Sequence, residues 1–364
     1  MIKRSSISIF KCIHKSTKNS GFTIVELLVV IVVIGILAAI TIVSYTGISQ
    51  RATVASIQSD LTSASNIFKL DQVTNSGYPA DIASANSGKG LASCTGATTC
   101  IYAVNNSVNP QGFCLAVTKN STTYRITNDS VPTAGDCQSY GLQISLDAGN
   151  TTSYPSPFTG TTWNDISGNG RNGTLVNGPT YDSNNSGSIV FDGINDRVTT
   201  SANVGVSGNF PISISSWFKT TDNTIAQSVV TYGSSVNGTT FGLYLNSGGA
   251  GIISAEFQSG TGVKTAAGTL TNNTWTNVVI TKSPGTIAST TSIYVNGVLV
   301  LSPAYNGGTN IPNFNFVYGG LGSWNDGGQS FLRGNISTAQ VYNRTLSAAE
   351  ILQYFNASKA RYGL

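Results

Sequence analysis

Side chains able to do chemistry are scarce in this chain, and their positions sort the possibilities early. Its one histidine, His14, lies within the first 21 residues. The rest therefore holds no Ser-His-Asp or Cys-His centre and no histidine-ligated zinc. A glycosidase needs two carboxylates about 5–10 Å apart. Beyond residue 140 the only glutamates are Glu256 and Glu350. Ser347-Ala348-Ala349-Glu350 reads as a helix capping box, which occupies the second of them. An aspartate pair such as Asp192 and Asp196 remains, but turns favour aspartate for backbone reasons alone. The chain reads as a non-enzyme. Four cysteines, Cys94, Cys100, Cys114 and Cys137, share no CxxC spacing, so disulfides in an exported module fit better than zinc. Three pairings are open. Cys12 stands apart from them, near the amino terminus. For sugar binding, which commonly combines an aromatic face with amide or hydroxyl partners, Trp324 in the glycine-rich GGLGSWNDGGQ loop is the best platform, with Asn325 and Asp326 beside it.

Glu26 is the remaining acid that calls for an explanation. It sits near the start of FTIVELLVVIVVIGILAAITIV, residues 22–43. As a helix this run is about 33 Å long, enough to cross a hydrocarbon core of about 30 Å. A carboxylate there is costly in lipid and is a functional candidate by default. Lys3, Arg4, Lys11, Lys15 and Lys18 precede the run with no acid among them. The positive-inside rule then leaves residues 1–21 in the cytoplasm and exports the rest. Those five charges also explain the net +4. The other residues carry 14 basic against 15 acidic groups, a net charge of −1, which gives little basis for phosphate contacts, so no nucleic acid is expected as a partner. At 9% charged residues, the chain also lacks the composition of a typical soluble cytosolic protein.

The string GFTIVELLVVIVVIGILAAI resembles the cleavage and methylation motif of type IV prepilins and pseudopilins. The resemblance implies cutting between Gly21 and Phe22 by a prepilin peptidase on the cytoplasmic face. It also implies methylation of the new Phe22 amine. Glu26 becomes the fifth mature residue, where that family keeps a glutamate. In a packed fibre its carboxylate would neutralise the terminal ammonium of a neighbouring subunit, and removing one partner of such a buried pair typically costs about 3–5 kcal/mol. One departure is Val43, which stands where many members carry a helix-kinking proline.

Helical spacing continues past the apolar run through Ile48, Ala52, Ala55, Ile57, Leu61, Ala64, Ile67 and Phe68. One helix over about 22–73 is expected, stopped by the Asn75-Ser76-Gly77-Tyr78-Pro79 turn cluster. Its distal half should pack on residues 80–140, which include the strands FCLAVTK and TTYRIT. The favoured disulfides are Cys94–Cys100 and Cys114–Cys137, the second closing a loop much as pilins often staple their carboxy-terminal region.

From about Gly141 the composition shifts to Gly, Asn, Ser and Thr with alternating apolar residues. SISSWFK, FGLYLNS, IISAEFQ, WTNVVITK and SIYVNGVLVL read as short strands, and Val295-Asn296-Gly297-Val298 as a type I′ hairpin. About a dozen strands over 224 residues predict a two-sheet β-sandwich. WNDISGNGRNGTL, FDGINDRV, SIYVNG and GNISTAQVYNRTLSAAEI resemble, in order, the laminin-G-like, concanavalin A-like jelly-roll family. That scaffold serves lectins, adhesion modules and enzymes alike. Such relatives often hold calcium through loop aspartates and carbonyls, which makes Asp147, Asp165, Asp192 and Asp196 the candidates for this one possible cofactor. Against it, Thr338 stands where relatives often place an acid.

The expected architecture is thus α+β followed by all-β. A leader occupies residues 1–21. A pilin-like module with a membrane helix and a disulfide-stapled β head fills 22–140. An antiparallel jelly-roll sandwich fills 141–364. The expected function is a type IV pilus or pseudopilus subunit that displays an adhesive, carbohydrate-binding domain. The bulk of that domain argues for a minor or tip position. Its partners would be the prepilin peptidase, other pilin subunits through the helix, the membrane before assembly, and a glycan or surface protein afterwards. The alternatives are a type II secretion pseudopilin, a DNA-uptake pilin, or an uncleaved membrane-anchored surface protein.

Overall fold

A computed structural model describes residues 23–95, 98–106, 110–233, 239–257, 261–300, 304–305, 310–324 and 329–364. Helix α1 spans Ile24–Asn75, and the boundary between two compact units falls inside it, between Ala55 and Ser56. From Ile24 to Ile42 the helix is apolar on every side apart from Glu26 and Thr41. Every large apolar side chain described from Ile24 to Ile42 is exposed. By length and composition this stretch is able to cross a membrane.

The second unit opens with the remainder of α1, which behaves in the opposite way. Ile57, Leu61, Ala64 and Phe68 recur at helical spacing and are fully buried or nearly so. They pack on Tyr78, Leu91, Tyr102, Phe113, Leu115, Val117 and Ile126. Phe68 meets Phe113 edge-on at a centroid distance of 5.1 Å, the arrangement aromatic quadrupoles prefer. Four antiparallel strands supply the partners: β1 (Thr99–Asn105), β2 (Gly112–Lys119), β3 (Thr122–Thr127) and β4 (Thr133–Ala134), in that spatial order. Asn120 and Ser121, both at positive φ, make the tight turn between β2 and β3. Alternation along β2 points Phe113, Leu115 and Val117 at the helix. It points Cys114 and Ala116 at the opposite cluster, which holds Ile101, Ala103 and Cys137.

The sandwich follows as expected. Among the described residues one sheet has nine strands and centres on Gln227–Gly233 and Tyr318–Leu321; the other has eight and centres on Ile212–Thr220, Thr276–Lys282 and Arg333–Tyr342. Their inner faces share one core, with Ile214, Phe218, Ile280 and Ile336 from the eight-stranded sheet against Tyr232, Phe241, Leu243 and Leu321 from the other. The Arg333–Tyr342 strand pairs with Ile212–Thr220 along one edge. Its other edge is shared between Ser188–Asp192 and Leu142–Asp147. The Asn296-Gly297 hairpin is present, both residues at positive φ, with Val295 opposite Val298.

Helix α2 (Ala348–Ser358) closes the chain behind the reciprocal Ser347–Glu350 capping box. Its Ile351 joins Val279, Tyr294, Tyr342 and Leu346 on the outer side of the eight-stranded sheet. Arg344, just before this helix, is fully buried and ties head to sandwich. Its Nε donates to the Tyr140 carbonyl at 2.6 Å and its Nη2 to the Cys137 carbonyl at 3.4 Å.

Candidate functional site

Gly21 and Phe22 lie outside the described residues, so the local chemistry begins at Thr23. The Thr23 amide and hydroxyl both donate to Glu26 Oε2 at 2.8 Å, and the Glu26 amide donates back to Thr23 Oγ1 at 3.2 Å. This is a second capping box, and it places the acid at the positive end of the α1 dipole. Among the described residues no cation pairs with Glu26. Its charge is oriented but not neutralised.

In the head, Cys94 is bonded to Cys100 and Cys114 to Cys137, with Cα–Cα distances of 5.5 and 5.8 Å. The second bridge joins β2 to the segment that Arg344 grips.

The four candidate aspartates do not converge. Both Asp147 oxygens accept from Arg361 Nη1, at 2.8 and 3.0 Å. Asp165 takes the amides of Ser145, Ser167 and Arg171 and the Ser167 hydroxyl. Asp192 and Asp196 are brought together: the Asp192 amide donates to Asp196 Oδ2 at 3.0 Å, and Asp192 Oδ1 accepts from the amides of Ile194, Asn195 and Asp196. Burial pulls the Asp192 carboxyl upward, but those amides outweigh it and hold it below the usual value. Burial, reinforced by the Asp192 charge, raises Asp196, although the Asp192 amide opposes the shift. Each carboxylate already serves the protein's own donors. Among the described residues no group of three or more His, Cys, Asp or Glu side chains could hold a metal. Among the described residues these acids are held by turn amides and by Arg361 and are not gathered around one point.

Trp324 is half-buried and pairs its backbone with Gln329, N–H to O at 2.9 Å. It borders a cavity of about 160 Å³ with Gln227, Tyr244, Glu256 and Ser330. Asn325 and Asp326 lie outside the described residues. Glu256 is buried and accepts from Ser254 Oγ at 2.9 Å. Gln227 holds the Arg333 amide and the Asp222 carbonyl. The other tryptophans are packed: Trp163 is buried in the sandwich core, and Trp217 stacks on Tyr362 at 3.9 Å.

Two features escaped the sequence reading. One is the Arg344–Glu350 ion pair, 2.8 Å long and fully buried, where only the capping role of Glu350 was expected. The other is an aromatic cluster of Tyr154, Phe158 and Tyr181. Only the SYPSPF aromatic-proline pattern hinted at it.

Two family models match this chain. Residues 16–42 match the prokaryotic N-terminal methylation motif, and residues 191–352 match the concanavalin A-like lectin/glucanases superfamily. The chain therefore joins a prepilin-type amino terminus to a laminin-G-like domain. Over 62 residues it is 34% identical to the type II secretion system core protein G of Aeromonas hydrophila. That match takes in 17% of this chain and 43% of the relative, so less than half of the relative's length is spanned. Among solved structures it is similar to a Trypanosoma rangeli sialidase in complex with sialic acid (13% identity, 72% of this chain, 45% of that one, TM-score 0.45). It is also similar to domain 4 of the extracellular GH43 arabinanase AbnA from Geobacillus stearothermophilus in complex with arabinotriose (16%, 58% and 97%, TM-score 0.41). A third is the binding domain of botulinum neurotoxin serotype G (15%, 60% and 51%, TM-score 0.43). Likenesses at this level carry no argument about function.

Proposed function

We propose that this protein is a type IV pilin-like or pseudopilin subunit that assembles through α1 and displays its laminin-G-like domain as an adhesive module. The observation that supports this reading best is the methylation motif running into a helix whose apolar surface, from Ile24 to Ile42, is left exposed among the described residues. Lipid would cover that surface before assembly, and neighbouring helices would cover it afterwards. In this reading residues 1–21 are a cytoplasmic leader removed by a prepilin peptidase, 22–140 the pilin-like module, and 141–364 the displayed domain. The precursor sits in the bacterial membrane, and the mature subunit sits in a surface filament. A 224-residue addition crowds a thin fibre, which favours a minor or tip position. The Trp324 loop, with Asn325 and Asp326, is the glycan candidate that follows from residue type.

Mass spectrometry of the native amino terminus tests the first step. A methylated Phe22 supports the proposal; an intact Met1 refutes it in favour of an uncleaved anchor. Immunogold labelling at filament ends supports the tip position, whereas labelling along whole filaments overturns it. The similarity to a secretion core protein favours one second reading, a pseudopilin that works as part of an export machine. In that case deleting the gene blocks export of another protein and leaves adhesion unchanged.

A further inference from the structure

The loop leading into Thr162–Trp163 is held more firmly than a connector needs to be. The Phe158 amide donates to the Pro155 carbonyl at 2.9 Å, the Tyr154 hydroxyl to the Gly160 carbonyl at 2.7 Å, and the Leu175 amide to the Thr161 carbonyl at 2.7 Å. Pro155 and Pro157 stiffen the same stretch. The turn places Phe158 at φ +62°, a left-handed backbone that a bulky side chain rarely adopts. Glycine or asparagine would fit that position more easily. Strained positions of this kind cluster where a ligand is held.

The strained turn presents an aromatic surface. Phe158 lies flat on Tyr181, with ring centroids 4.3 Å apart and planes within 6°. Tyr154 backs the pair from the core, 5.7 Å from Tyr181. Phe158 and Tyr181 are only half-buried and line a cavity of about 600 Å³, well within the size range of ligand pockets. Around it stand the exposed residues Thr159, Thr161 and Thr180, whose hydroxyls make no hydrogen bond among the described residues. Among the described residues no charged side chain lines the cavity.

We propose that this cleft between the 154–161 loop and the edge strand Thr180–Asp182 with its flanking residues binds a neutral glycan, with the Phe158 ring as the stacking platform and the threonine hydroxyls as its polar partners. A pyranose offers a C–H face to an aromatic ring and an edge of hydroxyls to neighbouring donors and acceptors, which matches a flat apolar floor with a hydroxyl rim. The uncharged lining disfavours sialylated or sulfated chains, since nothing there would balance their charge. A loop already ordered loses little entropy on binding. The site adds to the carbohydrate-binding part of the function proposed above and does not depend on filament assembly or on Trp324.

The test is calorimetric titration of the full chain, in a detergent without sugar headgroups, with cellohexaose, maltohexaose and laminarihexaose. 3′-Sialyllactose and decaproline serve as comparators. At least one neutral hexasaccharide should bind. Phe158→Asn should weaken it at least tenfold without lowering the melting temperature, because asparagine tolerates the left-handed backbone. The double variant Thr161→Val with Thr180→Val, on exposed positions, should weaken it severalfold and decides the matter if Phe158→Asn fails to fold. Ile311→Ala, at an exposed apolar position outside the cleft, should leave it unchanged. The proposal is overturned if no neutral hexasaccharide binds, if decaproline or sialyllactose binds instead, or if the folded variants bind like the parent. Loss of binding only in Trp324→Ala would overturn this cleft while leaving the adhesive reading intact. Failure of the chain to enter filaments would do the reverse.

Discussion

The amino-terminal ends of α1 and α2 use the same device for different ends. Each begins with a hydroxyl residue followed three positions later by glutamate, Thr23 to Glu26 and Ser347 to Glu350, and each pair hydrogen-bonds reciprocally. At α2 the carboxylate is fully buried, and both its oxygens meet Arg344, at 2.8 and 3.0 Å. At α1 the carboxylate is exposed among apolar side chains and meets no cation within the described chain. One acid is completed by its own chain. The other is left for something else to complete. The apolar surfaces tell the same story: the sandwich and head bury theirs, while the stretch from Ile24 to Ile42 leaves its own open.

The largest effect expected from this contrast is at Glu26. Glutamine keeps the capping box, since it can fill the same position, but carries no charge. If charge balance against a neighbouring amine drives assembly, Glu26→Gln should reduce sheared filaments at least tenfold with normal membrane levels of the subunit, as read by immunoblot of the two fractions. Glu26→Ala should do no worse. If the cap alone matters, Glu26→Gln will assemble normally and only the alanine variant will fail.

The matching change at α2 tests the completed pair. Glu350→Gln also preserves the cap, yet it strands the Arg344 charge in a site with no solvent access. Breaking one side of such a pair typically costs about 3–5 kcal/mol. Denaturant unfolding of the full chain should show a loss in that range. Replacing both members, Arg344→Met with Glu350→Leu, should recover part of it, because the uncompensated charge is gone. A loss below about 1 kcal/mol for the single change would mean that water reaches the guanidinium.

Much of this arrangement could be read from residue types, and the limits of that reading have physical causes. Strands with strict alternation, such as WTNVVITK, and the Asn-Gly turn declare themselves locally. So does Ser-x-x-Glu before Ile351. The long first helix was legible because its apolar run is nearly continuous; its end was expected near residue 73, before the Asn75–Pro79 turn cluster, but the helix takes in Asn75 as its last residue. What one sequence conceals is pairing at long range. Nothing local in the sequence marks Arg344, whose burial depends on the head segment 137–140 folding over it. Phe158 and Tyr181 meet only because the 154–161 loop folds onto the edge strand Thr180–Asp182. The four aspartates show a related limit: composition places acids in loops, and only geometry shows which amides, and Arg361, they accept from.

The disulfide that borders the Arg344 grip gives a smaller effect. Cys137 is fully buried, and its carbonyl is one of the groups Arg344 holds, so the bridge to Cys114 and the ion pair restrain the same segment. Replacing Cys114 and Cys137 by serine together should destabilise the second unit by roughly 2–4 kcal/mol, the usual range for closing such a loop. Thermal unfolding in the absence of reductant measures this. Because the two restraints share a segment, combining these changes with Glu350→Gln should cost less than the sum of the separate losses. Strict additivity would show that head and sandwich unfold independently.

The smallest effect sharpens the contrast from the other side, at an acid that among the described residues has neither a cation nor a cap. Asp196 is nearly buried beside Asp192, and its carboxyl is raised above its ordinary 3.8 by burial and the neighbouring charge. A folded value above the unfolded one means that the charged form is disfavoured in the native state. The resulting cost is present in full once the pH exceeds the raised value, and it disappears as the pH falls below 3.8, where both states are protonated. Asp196→Asn keeps an oxygen for the Asp192 amide and removes the repulsion. Its melting temperature should therefore exceed the parent's at pH 7 by a few degrees at most, with the difference fading on acidification. A lower melting temperature at pH 7 would mean that the charge itself is needed there, as a ligand for a cation would be.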